Sequence, residues 1–378
     1  MTPPTYAPAQ SAADRILRRL THYSAAIEFS TEPLATLPEP AALSVLIDAA
    51  FWTSLQREEN YVPRLTLAFV APEQANDAVV FAASFPLAPK ELTKLAAAVE
   101  RAGLFLGVWP SGDELRVWGI SRTLPAFCLI VEVILPGLLA VKQSPLESTG
   151  KFINIAVLQG DEIKIINSQP AIIPAYPTLL ASLLRLESEF ATGSAVNVLL
   201  QLAVSIRTHG RGGTLLVVPV GSDTWSESIL HPITYSFVPA FAGLAALMRE
   251  DSGGKPTRRW EDALGRAVDA IAGFTAIDGA TLITADYELL AFGAKIVRRK
   301  NHSIVGHVVV TEPIEGGSSV IVEPSQLGGT RHLSGAQFVH DQPDAIALVA
   351  SQDGRFTAFA WSSKEQMVHA HRIDALLL

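Results

Sequence analysis

Trp260-Glu261-Asp262-Ala263-Leu264-Gly265-Arg266-Ala267-Val268-Asp269-Ala270-Ile271, followed by Ala272-Gly273-Phe274-Thr275-Ala276-Ile277-Asp278-Gly279-Ala280-Thr281-Leu282-Ile283-Thr284, holds two periodicities in one run. Trp260, Leu264, Ala267, Val268 and Ile271 recur on a single helical face, so the first part reads as an amphipathic helix. From Phe274 to Thr284 the pattern is that of an apolar strand, interrupted by Asp278-Gly279-Ala280. A helix feeding straight into a strand is the building unit of a sheet with helices packed on it.

Reading outward from that run extends the same pattern. Towards the C-terminus, Glu288–Ile296 and His307–Thr311 continue the sheet and Arg331–His340 is a helix. Ala345–Ser351 and Arg355–Trp361 are a last pair of strands around Gln352-Asp353-Gly354. Towards the N-terminus, Leu179–Phe190 and Val196–Arg207 read as helices, and Arg211-Gly212-Gly213 leads into the apolar strand Thr214–Pro219. Gly210-Arg211-Gly212-Gly213 lacks the Lys and Ser/Thr of a phosphate-binding P-loop, so it reads as the start of a strand. The expectation for residues 179–378 is a mixed α/β domain, a mixed β-sheet flanked by helices.

Pro170, Pro174 and Pro177 make 169–178 a stiff connector. Ahead of it, 11–168 reads as a separate α+β domain. Its helices are Ala13–Tyr23, Ala41–Leu55 and Glu91–Ala102, and Arg64–Val70 is a strand. Its hairpins are Leu104–Trp109 with Leu115–Ile120 and Ile153–Leu158 with Ile163–Ile166. Arg57-Glu58-Glu59 reads as a solvated helix end. Residues 1–10, rich in Pro, Ala and Thr, are expected to be a loose, disordered tail without the basic-then-apolar pattern of a signal peptide.

The 378 residues fit two or three domains, and 49% apolar against 17% charged residues is a globular composition. A formal charge of −8 argues against coating nucleic acid, though a nucleotide needs only a local cationic cluster. A single cysteine, Cys128, rules out an intramolecular disulfide and a thiolate zinc cluster, in keeping with a cytoplasmic protein. Leu124–Val141 is apolar at near-spanning length, but Pro125, Glu132, Pro136 and Gly137 make it two buried strands and a turn rather than a membrane helix.

Two stretches carry residues that pure structure does not ask for. Asp278 sits in an apolar run, where a bare carboxylate is costly unless it caps a turn, is paired, or holds a metal. Gly279 beside it admits a close backbone or ligand. Gly328-Gly329-Thr330-Arg331-His332-Leu333 opens a helix whose first amides form an anion site, or else an ordinary capped helix with a surface arginine. Arg331 and His332 would add donors for phosphate oxygens. His369 and His371 share a face if extended and read as a surface pair. Nucleophile-elbow and His-Glu-x-x-His motifs are absent from the sequence.

Taken together and in order, Asp278-Gly279-Ala280 and Gly329-Thr330-Arg331-His332 resemble the Asp-Gly-Ala and Gly-Thr-Arg-His-Arg motifs of diadenylate cyclase domains. The resemblance runs from about Ser205 to Trp361. It implies condensation of two ATP molecules into cyclic di-AMP and pyrophosphate, with Mg²⁺ or Mn²⁺ as cofactor. Asp278 would hold the metal and help activate the ribose 3′ hydroxyl, with Arg331 and His332 as its catalytic partners. Gly279 and Ala280 would approach the nucleotide by their backbone, Gly329 and Thr330 would meet its phosphates at the helix start, Ile296 would pack on adenine, and Ser351 would touch phosphate. The family's geometry also implies a homodimer with cyclase domains face to face. Some members carry a variable sensor ahead of the cyclase, which makes 11–168 the sensor of an unidentified small-molecule or protein signal.

Two departures stand out. The family's second arginine is Leu333, with Arg298, Arg299 or Lys300 as substitutes to be sought, and the span from Asp278 to Arg331 is long. The excess, within 298–326, is a lid or a tolerated insertion. Leu333 favours a second reading, a nucleotide-binding sensor that keeps the pocket without turnover. A purely structural interaction module is the third.

Overall fold

The computed structural model describes residues 5–24, 34–75, 77–101, 103–145, 152–167, 197–250 and 257–378, and for 21–24 only the backbone. The connector at 169–178 and the helix Leu179–Phe190 lie outside these residues. Two compact units are formed, Met1–Ile166 with Leu378 and Asn167–Leu377. Both are mixed α/β, each built on a mixed sheet flanked by helices.

In the first unit the described helices are α1 (Pro8–Ser24), α2 (Pro40–Ser54) and α3 (Pro89–Val99). The strands are β1 (Leu65–Phe69), β2 (Ala78–Pro86), β3 (Phe105–Ser111), β4 (Glu114–Ser121), β5 (Leu129–Leu135), β6 (Leu138–Gln143), β7 (Ile153–Gln159) and β8 (Glu162–Ile165). The sheet runs β2-β4-β3-β1-β5-β6-β7-β8, with β1 and β3 parallel and the other neighbours antiparallel. Alternation along the strands divides the core. Leu67, Leu106, Val117 and Val131 pack with Ile16, Leu43, Leu46 and Leu92 of the helices. Ala68, Phe105, Trp118, Cys128 and Ile130 form a smaller cluster on the other face.

The apolar run Leu124–Val141 is the β5–β6 hairpin, in which Glu132 meets Lys142 at 2.5 Å. No helix among the described residues is long and apolar enough to cross a membrane. The loose tail expected up to Gln10 is shorter than that reading. Tyr6 is buried, its ring stacks on Phe51 at 3.7 Å, and its amide donates to Asp48 Oδ1 at 2.6 Å. Burial of one aromatic ring anchors the chain before α1 begins.

The second unit contains α4 (Val198–Thr208), α5 (Gly243–Glu250), α6 (Arg258–Phe274) and α7 (Thr330–Asp341). Its strands are β9 (Gly213–Val218), β10 (Tyr235–Phe241), β11 (Ala280–Thr284), β12 (Leu289–Ala294), β13 (Val308–Thr311), β14 (Val320–Val322), β15 (Ile346–Ala350), β16 (Phe356–Ser362) and β17 (Met367–Arg372). They line up as β10-β12-β11-β9-β15-β16-β17-β13-β14. Central β9 is parallel to β11 and antiparallel to β15. Its six residues are all buried, as the near-continuous apolar run requires when both faces are covered.

Leu215, Val217, Leu348 and Ala358 face α4 and α6. Leu216, Val218, Val349 and Phe359 face α7. The result is three layers, helix–sheet–helix. Asn197 caps α4 by accepting from Leu200 N at 2.9 Å, and Thr257 caps α6 by accepting from Trp260 N at 3.3 Å.

Three readings of the sequence need correction here. The strand expected over Phe274–Thr284 starts only at Ala280, because α6 continues to Phe274 and residues 275–279 form the turn between them. His369 and His371 are not a surface pair but are buried on β17, a strand absent from the sequence reading. His369 Nε2 meets Glu365 at 2.9 Å and His371 Nδ1 meets Thr311 Oγ1 at 2.5 Å, while burial and the neighbouring His369 push His371 down to about 3. Finally, α5 and the strands β2, β10 and β14 were not foreseen.

Candidate functional site

Register brings the two motifs to one end of the nine-stranded sheet. Ala280 pairs with Thr214, Gly213 with Ala350, Ala350 with Phe356, and Thr357 with Arg372. The residues just beyond those pairs are Asp278-Gly279 before β11, Gly212 before β9, Ser351 after β15 and Arg355 before β16. All of them, with Arg372 at the end of β17, lie along the same rim.

α7 crosses the sheet with its N-terminus at this rim. A Cβ added at Gly212 would lie 3.0 Å from Arg331 Nη1 and 3.2 Å from the carbonyl oxygen of Ala350. With φ at +69°, Gly212 is also in the left-handed region, so this position is glycine for two reasons. Its missing side chain is the space that the half-buried Arg331 guanidinium occupies. Among the described residues no carboxylate pairs with Arg331. Gly329 is the N-cap, and no side chain caps the helix; Thr330 is the first helical residue and is exposed, not a cap. His332 N donates to Gly329 O at 3.0 Å, so among the described residues it is the amides of Thr330 and Arg331 that stay open to an anionic ligand.

Asp278 is exposed in the turn between α6 and β11 and has no ion-pair or hydrogen-bond partner among the described residues. The expected cost of a buried carboxylate does not arise. An exposed, unpaired carboxylate suits one ligand position of a hard divalent cation, which keeps several waters and takes further oxygens from a phosphate. Gly279 has φ +106°, and a Cβ there would lie 2.5 Å from the carbonyl carbon of Gly293. The close neighbour that Gly279 admits is thus the β12 backbone. Ala280 is buried as the first residue of β11.

His332 does not belong with Arg331 as a cationic donor. It is 1% exposed, lies edge-on to Phe359 with centroids 6.1 Å apart, and has its Nδ1 against Gly328. Burial lowers its pKa; Asp353 opposes this and Arg355 and Arg372 add to it, so the ring is neutral at pH 7. Among the described residues its Nε2 has no hydrogen-bond partner. The helix periodicity explains the contrast: at the third helical position the side chain turns towards the sheet, whereas Leu333 next to it is 42% exposed.

Ser351 is committed to its own turn. Its amide donates to Arg355 O at 2.9 Å and its hydroxyl donates to Asp353. That hydroxyl, aided by the Arg355 amide and guanidinium, holds Asp353 below the usual carboxylate range. Ile296 is half-buried past the end of β12, bridges to Ile229, and packs on the α7-side core.

Of the arginines sought as substitutes near Leu333, Arg299 is turned elsewhere. Its Nε meets Glu227 at 2.7 Å and its amide donates to Asp341 at the C-terminal end of α7. The cations at the rim are instead Arg355, paired with Asp353 at 3.3 Å, and Arg372, both of which act on His332. Arg211 joins them on the loop before β9, where Gln352 Nε2 donates to its carbonyl at 3.4 Å. Tyr235, half-exposed beside Gly293 and stacked on Phe292 at 4.7 Å, offers an aromatic face next to the Asp278 turn. Only the turn residues around Arg355 and the Arg211-Gly212-Gly213 run signalled any of these in the sequence.

No curated protein matches the chain at a significant level. Residues 32–122 match the family described as "Probable sensor domain DACNV". The match spans α2, β1, β2, α3, β3 and β4, all in the first unit, whereas the rim just described belongs to the second.

Proposed function

We propose that the second unit is a diadenylate cyclase domain that joins two ATP molecules into cyclic di-AMP and releases pyrophosphate, under the control of a sensor in the first unit. The observation that carries this reading is that Asp278 and Arg331 lie on one rim, each without a charged partner among the described residues. A motif match at residues 32–122 supports the sensor half, since sensor domains of this kind are typically found with diadenylate cyclases.

Arg331 and the open amides of α7 bind triphosphate oxygens and stabilise charge that builds on them as pyrophosphate leaves. Arg372 and Arg211 add positive potential along the same rim. Asp278 would hold Mg²⁺ or Mn²⁺, which would supply Lewis acidity and charge neutralisation for phosphoryl transfer. His332, neutral, positions the Gly328-Gly329 turn rather than meeting phosphate by charge. Tyr235 is the stacking surface for a base, with Ile296 as the aliphatic alternative. Gly279, Ala280, Gly329 and Thr330 shape the backbone around the nucleotide. The 3′ hydroxyl of one nucleotide must reach the α-phosphorus of another, so two domains face each other in a homodimer, a geometry one monomer does not supply. ATP and the second protomer are the partners, and the cytoplasm, where ATP is plentiful, is the compartment.

The test is incubation of the full chain with ATP and Mn²⁺ or Mg²⁺, with cyclic di-AMP followed by mass spectrometry. Product from wild type and none from a folded Asp278→Asn variant is expected. A folded dimer without product would overturn the enzymatic reading. Leu333 and the neutral, buried His332 favour a second reading, a nucleotide-binding sensor without turnover; calorimetry would then show ATP or cyclic di-AMP bound and not consumed.

A further inference from the structure

Far from the rim, at the C-terminal end of α7, His302, His340 and Asp341 bring one donor atom each to within 4.8 Å of one another. Asp341 is 0% exposed, and both imidazole Nδ1 atoms lie 3.3 Å from its Oδ1. Gln337 Nε2 donates to that same oxygen at 3.0 Å, and Arg299 N donates to Oδ2 at 2.9 Å.

Three nitrogens converge on one oxygen, more than its pair of lone-pair positions serves well. The two imidazole distances also exceed the usual N–H···O range, which ends near ~3.2 Å. They match instead the edge of a coordination tetrahedron, about 3.3–3.4 Å when metal–nitrogen and metal–oxygen bonds are about 2.0–2.1 Å. An ion between the three atoms turns the crowded contact into coordination, with both Nδ1 lone pairs directed inward.

We propose that His302, His340 and Asp341 form a binding site for a zinc-class divalent transition metal, separate from the Asp278 rim. Two imidazoles and one carboxylate favour Zn²⁺ or Co²⁺ over Mg²⁺ and Ca²⁺, which prefer oxygen. The fourth position is left to water. Hydrogen bonds and packing around the site hold the ligands in place. Gln337 bonds Asp341 from one side and, through Oε1, accepts from Val305 N at 3.0 Å, while its Nε2 also donates to Ser303 O at 3.1 Å. His340 packs edge-on to Trp361 with centroids 6.0 Å apart. The metal clips the segment from Arg299 to Val305, within the span that exceeds the family's usual length, onto α7.

The experiment titrates the untagged full chain with Co²⁺ and follows the visible absorption of a tetrahedral Co²⁺ centre, then displaces it with Zn²⁺. One ion per chain is expected for wild type. His302→Ala and His340→Ala each lower the affinity by more than the ~10–100-fold that loss of an outer-shell partner costs, and Gln337→Ala lowers it within that range. Asp278→Asn leaves the band unchanged. Absence of the band in folded wild type overturns the site, as does a band that survives His302→Ala or vanishes in Asp278→Asn. His302 is half-exposed in a loop, so His302→Ala carries the test even where His340→Ala disturbs the Trp361 contact.

Discussion

Gly279→Ala should loosen β11 from β12 far more than the size of a methyl group implies. The added Cβ would sit 2.5 Å from the carbonyl carbon of Gly293, 2.8 Å from its oxygen and 2.9 Å from Ala294 N. Carbon atoms at ease are roughly 3.5–4.0 Å apart, so about 1 Å must be found from backbone on both sides. Overpacking of that kind costs about 1–3 kcal/mol. The φ of +106° adds about 1–3 kcal/mol for a residue with a side chain. The sum, roughly 2–6 kcal/mol, corresponds to amide exchange in β11 and β12 at least about 30-fold faster. Peptide-resolved hydrogen exchange is the assay because it reads this unit without assuming that the two units unfold together. Gly265→Ala is the control: it lies inside α6 with nothing within 4 Å of the added atom, and should slow exchange there by about 1 kcal/mol. Unchanged protection in β11 and β12 of Gly279→Ala would refute the close-approach argument.

Other outcomes follow from single observations. Leu333→Arg, at an exposed position, should leave the melting temperature nearly unchanged and raise the rate of cyclic di-AMP formation about 10-fold or more, the worth of one charge-assisted phosphate bond; mass spectrometry of the product decides it. His371 is held neutral at about 3 against an unfolded value near ~6.5, so its stabilising effect is full above pH ~6.5 and declines as pH falls towards 3. Between pH ~6.5 and ~5 that amounts to about 2 kcal/mol, and urea titrations of His371→Gln should show a shallower loss over the same window. Cys128 is buried and pushed up to about 12 by that burial, so a thiol reagent should label the native chain only as fast as the first unit opens.

The helices and interior strands were legible because burial imposes a period. Leu264, Val268 and Ile271 repeat at helical spacing, and β9 and β15 are apolar from end to end. The sheet edges were not legible for the opposite reason. β10 and β14 lie at the two edges of their sheet, with Val238, Phe241, Val320 and Ile321 exposed, so no inward–outward contrast marks them. β17 escaped notice because its two histidines imitate a polar surface while both are buried.

The candidate site shows the same division. Asp278 and Arg331 could be singled out by residue type, but whether a carboxylate in an apolar run is buried depends on where α6 stops, and α6 ran to Phe274. The sequence order of Arg331-His332 implied two cations; helix geometry sends one to the rim and the other into the core. Arg372 and Arg355 reach the rim only through the pairing of β16 and β17, a long-range register that no local motif encodes.

One helix spans both proposed sites. α7 has 12 residues, a rigid rod of about 18 Å, with Arg331 at one tip and His340 and Asp341 at the other. Such a rod bends little, so a displacement along its axis at the far tip would be passed on to the guanidinium beside Gly212.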